Sequence, residues 1–213
     1  MEDTLEKIFD SPVRARLFRL FVRNPEDWFK VGEIADKVQF HPRPVKAQIT
    51  RLHTCGFLKR RRVFRREKKG RPKGMTAAKA MEDTKLSPGV YYAINPEFPL
   101  YSELQQLVYK AVPRSDEQLT ERFKSIGGVK MALISGVFMG LENMRADLIL
   151  VGDNMNQKRM HKLLSTLEAE IGTEIDYTTM NSQDFAYRFD MFDRFLRDVL
   201  EGPHKKLINK FKI

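Results

Sequence analysis

Residues 59–73, KRRRVFRREKKGRPK, carry ten cations and one acid. A run of this kind does electrostatic rather than covalent chemistry. Each phosphate it neutralises releases condensed counterions, so a polyanion is the fitting partner, and duplex nucleic acid the first expectation. The imbalance is local. Residues 1–113 hold 23 Lys and Arg against 13 Asp and Glu, a net of +10, whereas residues 114–213 hold 15 of each. Just upstream of the run, Val45, Ile49 and Leu52 recur at helical spacing. Turning these three inward leaves Arg43, Lys46, Ala47, Thr50 and Arg51 on the opposite face. Arginine and lysine there reach guanine edges or phosphates, and Thr50 reaches base or backbone.

The elements that must hold these side chains can be read on either side. Ser11-Pro12 is a helix start, a capping side chain followed by proline at the first helical position. Val13, Leu17, Leu20 and Phe21 then recur at helical spacing until Asn24-Pro25. Residues 28–31 are a short extended piece, and Ile34, Ala35 and Val38 mark a second helix. His41-Pro42-Arg43-Pro44 turns into the third, which Gly56 ends. Residues 57–58 open a strand, and residues 90–94 return as its partner. Three short helices and a hairpin are the order of a winged helix-turn-helix, in which the third helix enters the major groove and the hairpin lies along the backbone or minor groove. The affinity-bearing cations of the hairpin are then Arg60, Arg61, Arg62, Arg65, Arg66, Lys68, Lys69 and Arg71. About thirty residues separate the two strands, and within them residues 68–73 are similar to the core of an AT-hook, whose Arg-Pro lies in narrow A/T-rich minor grooves. A helix over 101–112 follows, and Pro113-Arg114 marks the expected boundary between domains 1–113 and 114–213.

The second half opens on Ser115 with Gln118 three residues on, a capping-box start. Its pattern predicts strands over 129–137, 146–151 and 174–180, a helix over 157–171 stopped by Gly172, and a helix over 185–200 with Phe192, Phe195, Leu196 and Val199 inward. This order is α+β overall: a winged helix followed by a small α/β domain with a mixed sheet. Cys55 is the only cysteine; beside Gly56 in an apolar context it reads as a buried structural thiol and indicates a reducing, cytoplasmic setting. His41, His53, His161 and His204 lack metal-ligand spacing, and no Walker loop, GxSxG or zinc cluster occurs. No metal, cofactor or membrane partner is expected.

The segments ALISGVFMGLENMRADLILVGD, GTEIDYTTMNSQDFAYR and FLRDVLEGPHKKLI resemble the minimal nucleotidyltransferase domain. With VGEIADKVQFHPRPVKAQITRLHTCGFLKRRR and YYAINPEFPLYSELQQLV, the whole chain resembles fusions of an ArsR-like winged helix with such a domain. Active members of that superfamily place Gly-Ser on the first strand and a pair of carboxylates, Asp-x-Asp, on the next, often with a third acid later, to hold two Mg²⁺ ions. Here Gly136 is followed by Val137, the first carboxylate position holds Arg145, the second holds Asp147, and Asp176 stands where the later acid would come. An arginine at a ligand position carries charge of the wrong sign. The resemblance therefore implies a transcriptional regulator with a relic nucleotide site at Gly136, Arg145, Asp147 and Asp176, in which Arg145 is free to take an anion. Regulators of this architecture read paired half-sites, so a homodimer on double-stranded DNA is expected. The competing expectations are an active nucleotidyltransferase that uses its winged helix to hold substrate, and RNA binding through the basic loop.

Overall fold

The computed structural model describes residues 4–64, 87–111, 115–141 and 143–211. The chain runs α1 (Thr4–Phe9), α2 (Pro12–Arg23), β1 (Phe29–Lys30), α3 (Val31–Val38), α4 (Pro42–Thr54), β2 (Leu58–Val63), β3 (Gly89–Ile94) and α5 (Tyr101–Lys110). It continues α6 (Asp116–Lys124), β4 (Val129–Ile134), a 3-10 turn (Gly136–Phe138), β5 (Leu148–Gly152), α7 (Gln157–Ile171), β6 (Tyr177–Met180), α8 (Ser182–Asp190), α9 (Arg194–Glu201) and β7 (Lys205–Asn209). Two sheets result, a three-stranded one ordered β1-β3-β2 and a four-stranded one ordered β6-β5-β4-β7. The first is antiparallel throughout. The second is mixed, with β5 and β6 parallel and both partners of β4 antiparallel to it. The architecture is α+β, as expected.

Helix α2 is the hub of the first core. Its Ser11 side chain accepts from the Arg14 amide at the N-cap, and Pro12 presets the first turn. Residues Ala15, Leu17, Phe18, Leu20, Phe21 and Val22 are all buried, so the helix meets neighbours on most sides. Ile34 and Val38 of α3, Val45, Ile49 and Leu52 of α4, and Val108 of α5 close around it. The predicted inward face of α4 is thus the observed one. The second half keeps two cores of its own, one on each face of the four-stranded sheet. Leu119, Phe123, Leu148, Leu150, Leu164 and Leu167 fill one; Met131, Leu133, Ile149, Val151, Leu196 and Val199 fill the other. The alternation along β4 and β5 that divides these residues is the ordinary two-residue repeat of a strand.

The halves dock through α2 and α7. Gly172 caps α7 in the left-handed conformation at φ +91°, and a methyl group there would lie 2.5 Å from the Arg19 carbonyl carbon. Asn24 donates its amide to the carbonyls of Leu20 (2.6 Å) and Gly172 (2.7 Å). Glu170, almost fully buried, takes a two-pronged grip from Arg122 of its own half (3.0 and 3.3 Å) and faces Arg16 of α2 at 3.8 Å. Gln39 to Ser165 (2.8 Å) and Lys37 to Glu174 (3.3 Å) extend the seam along α3.

Three expectations need correcting, and one strand was not expected. The helix over 185–200 is two helices, and Phe192 lies in the turn between them at 81 % exposure rather than inward. Cys55 is exposed at the end of α4, its thiol donating to the Leu52 carbonyl at 3.2 Å. The three predicted strands of this half are shorter than expected, ending at Ile134 and starting at Leu148 and Tyr177. Strand β7 was not foreseen, because Lys205, Lys206 and Asn209 are exposed and only Ile208 is buried, a pattern too weak to separate an edge strand from a tail.

Candidate nucleic-acid interface

From Lys37 to Arg66 there are ten Lys and Arg and no Asp or Glu in thirty residues. Helix α4 lies wholly inside this acid-free stretch. Its first turn is closed to ligands: Pro42 and Pro44 have no amide hydrogen, the Arg43 amide donates to His41 Nδ1 at 3.4 Å, and the Val45 amide donates to the His41 carbonyl. The helix start therefore offers an anion no ring of spare backbone donors, and attraction falls to side chains. Arg43, Lys46, Ala47, Thr50 and Arg51 are all exposed. The Thr50 hydroxyl donates back to the Lys46 carbonyl at 3.0 Å, which turns its lone pairs outward as acceptors.

The hairpin divides its cations. Strand pairing runs Leu58 with Ile94 to Val63 with Gly89, so alternate side chains of β2 take opposite faces of the sheet. Leu58, buried in the helical core, shares its face with Arg60 and Arg62, both exposed. His53 of α4 meets Tyr92 of β3 edge-on at 6.3 Å, so this face adjoins the end of α4. Arg60 and Arg62 thus extend the cationic surface begun by Arg43, Lys46 and Arg51. Lys59 and Arg61 point the other way and bracket Trp28, at 5.3 and 4.4 Å from its ring. On that outer face Lys30 also lies 5.3 Å from the Tyr91 ring and donates to Ser87 Oγ. Arg61 is half-buried and engaged by the tryptophan, which sets it apart from Arg60 and Arg62. Arg65, Arg66, Lys68, Lys69, Arg71 and the AT-hook-like segment lie outside the described residues.

Two aromatic residues, one on each face of the hairpin, escaped sequence reading. Trp28 finds its cations thirty-odd residues away through a register that no local pattern encodes. Phe64, 73 % exposed, follows the last paired residue of β2 and lies 5.8 Å from the Arg62 guanidinium. A lone Phe inside a run of arginines was the available signal.

The residues of the expected relic nucleotide site divide as well. Gly136, Asp147 and Asp176 come together. Asp147 Oδ1 accepts from the Val137 amide and Oδ2 from the Asp176 amide, both at 2.9 Å. Its backbone amide donates to the Asp176 carbonyl at 2.7 Å, and its carbonyl accepts from Ser135 at 2.8 Å. Gly136, at φ +45°, lies so close that a methyl group there would collide with the Asp147 carboxylate. Asp147 therefore stitches the turn after β4 to the start of β6. Arg145 is drawn away, pairing with Asp198 of α9 at 3.3 Å, and is 60 % exposed. Ser135, which precedes the glycine, is buried and donates to the Pro203 carbonyl at 2.6 Å. No group of three His, Cys, Asp or Glu that could hold a metal ion occurs among the described residues.

Elsewhere in this half, Asp153 closes β5 against α8. The Lys130 ammonium at 2.7 Å, then the Ser182 hydroxyl and amide, hold its carboxyl far below the ordinary carboxylate range. Among the described residues no helix is long and apolar enough to cross a membrane.

No family model, curated protein or solved structure matches this chain.

Proposed function

We propose that the protein is a DNA-binding transcriptional regulator whose first half is a winged helix-turn-helix and whose second half is a non-catalytic, nucleotidyltransferase-like domain. The observation that carries the reading is that Arg43, Lys46, Thr50 and Arg51 are exposed on α4, Arg60 and Arg62 are exposed on the strand face that adjoins its end, and the stretch from Lys37 to Arg66 that holds them contains no acid. Element order and the β1-β3-β2 sheet support it, since the same succession places a third helix beside a hairpin in winged-helix proteins. In this reading α4 lies in the major groove. Arg43, Lys46, Thr50 and Arg51 read base edges, and Arg60 and Arg62 follow the phosphates. The division between the helix and the strand separates specificity from affinity.

The environment of Asp147 supports a non-catalytic second half. Both of its carboxylate oxygens are committed to backbone amides, and its would-be partner position holds an arginine paired elsewhere. Two-metal phosphoryl chemistry requires clustered carboxylate oxygens facing the ions.

Selection of bound duplexes from a random pool tests the reading. The wild type should enrich a defined motif. Arg51→Ala should relax one position of that motif, by about 1–3 kcal/mol of discrimination if the contact is bidentate to guanine. Recovery of unenriched sequence, or no recovery at low salt, would overturn it.

A further inference from the structure

Helix α8 ends in a way that folding alone does not favour. Its C-cap is Met191, and the next residue, Phe192, adopts the left-handed conformation at φ +52°. Its amide bonds to the Phe189 carbonyl, and the following Asp193 amide bonds to the Arg188 carbonyl. Glycine is the residue that fits this position, and a bulky side chain is strained there. Phe192 gains no core contact in return, being 81 % exposed, the most exposed large apolar side chain among the described residues. Phe189, at 40 % exposure, stands in the same patch. This projecting ring forms one wall of a groove of about 360 Å³, with Phe189, Leu196 and Leu200 in the others.

We infer that this α8–α9 surface is a two-fold interface between copies of the chain, each Phe192 seated in the other copy's groove. Projection and recess on one patch are what an isologous contact requires, since the same surface must be complementary to itself. The rim charges agree. Arg188 and Arg197 stand beside Asp190 and Glu201, and none of the four has an ion-pair or side-chain hydrogen-bond partner among the described residues. A two-fold axis brings the arginines of one copy to the acids of the other. Long-range charge agrees too: the second half carries 15 cations and 15 acids, whereas two first halves would meet with a net of +10 each. The exposed parts of Phe189 and Phe192 alone amount to on the order of 250 Å², about a third of the ~800 Å² per partner that a standard interface buries. The inference stands apart from the nucleic-acid reading and holds or fails without DNA.

Sedimentation equilibrium of the full chain without DNA decides it. The wild type should be a dimer at micromolar concentration. Phe192→Asp should raise the dissociation constant about 30-fold or more, as the loss of a central interface aromatic does. Phe192→Gly should weaken association comparably while keeping or raising the melting temperature in dilute solution, because it removes the left-handed strain. A melting temperature lowered by Phe192→Gly would show that the ring serves the fold of the monomer and overturn the inference. Wild-type monomer at ~100 μM, dimer unaffected by either variant, or a monomer that co-sediments with phosphatidylcholine vesicles through Phe192 would each overturn it as well.

Discussion

Asp147 shows how one carboxylate can tie two segments of backbone together. Its two oxygens accept the amides of Val137 and Asp176, and Gly136 leaves room for it at the bend after β4. Asp147→Ala would leave two amides without their acceptor, at about 1–3 kcal/mol for each that stays dry. Urea denaturation should therefore show a lower midpoint for Asp147→Ala, with Asp147→Asn between it and the wild type, because one amide oxygen replaces two carboxylate oxygens. An unchanged midpoint for the alanine variant would mean that the carboxylate is held for something other than the fold. The residue types at Gly136, Arg145, Asp147 and Asp176 were legible in the sequence, as was their departure from a metal-binding pattern. That Arg145 turns to Asp198 was not, because α9 approaches only in three dimensions.

At the scale of elements, helix faces were the most legible feature. Val45, Ile49 and Leu52 fall on one side of α4 by the 3.6-residue repeat alone, and burial follows it. The break between α8 and α9 was hidden, since neither Gly nor Pro marks it and Phe192 continues the apolar pattern. The hairpin cations looked like one patch, yet pleating sends Arg60 and Arg62 to one face and Lys59 and Arg61 to the other. The contact of α7 with α2 was equally invisible, although its key residue, Gly172, was recognised as a helix stop. Gly172→Ala should strain the cap by about 1–2 kcal/mol and also push a methyl group into the α2 backbone at Arg19 and Leu20. Hydrogen exchange should then lose protection first at the facing turns of α2 and α7. Loss confined to the α7 cap, with α2 unchanged, would mean that the two helices do not depend on each other.

Across the whole molecule, charge and neutrality are segregated. The first half holds the entire excess of ten positive charges, and the second balances 15 against 15. The buried Glu170, gripped by Arg122 and facing Arg16, joins the two so that α2 and α3, on which α4 rests, are braced by α7. The cationic side chains of α4 and β2 thereby rest on a frame packed against a half that carries no net charge. Affinity for a duplex as a function of salt measures this arrangement most directly. About six phosphate contacts along the whole basic run of residues 59–73, Arg60 and Arg62 among them, give a slope of log affinity against log salt near −5, and each arginine removed should lessen it by about 1. Arg60→Ala with Arg62→Ala should bring the slope to about −3 while Arg145→Ala leaves it unchanged. No binding in dilute buffer, or a slope indifferent to Arg60 and Arg62, would contradict the account.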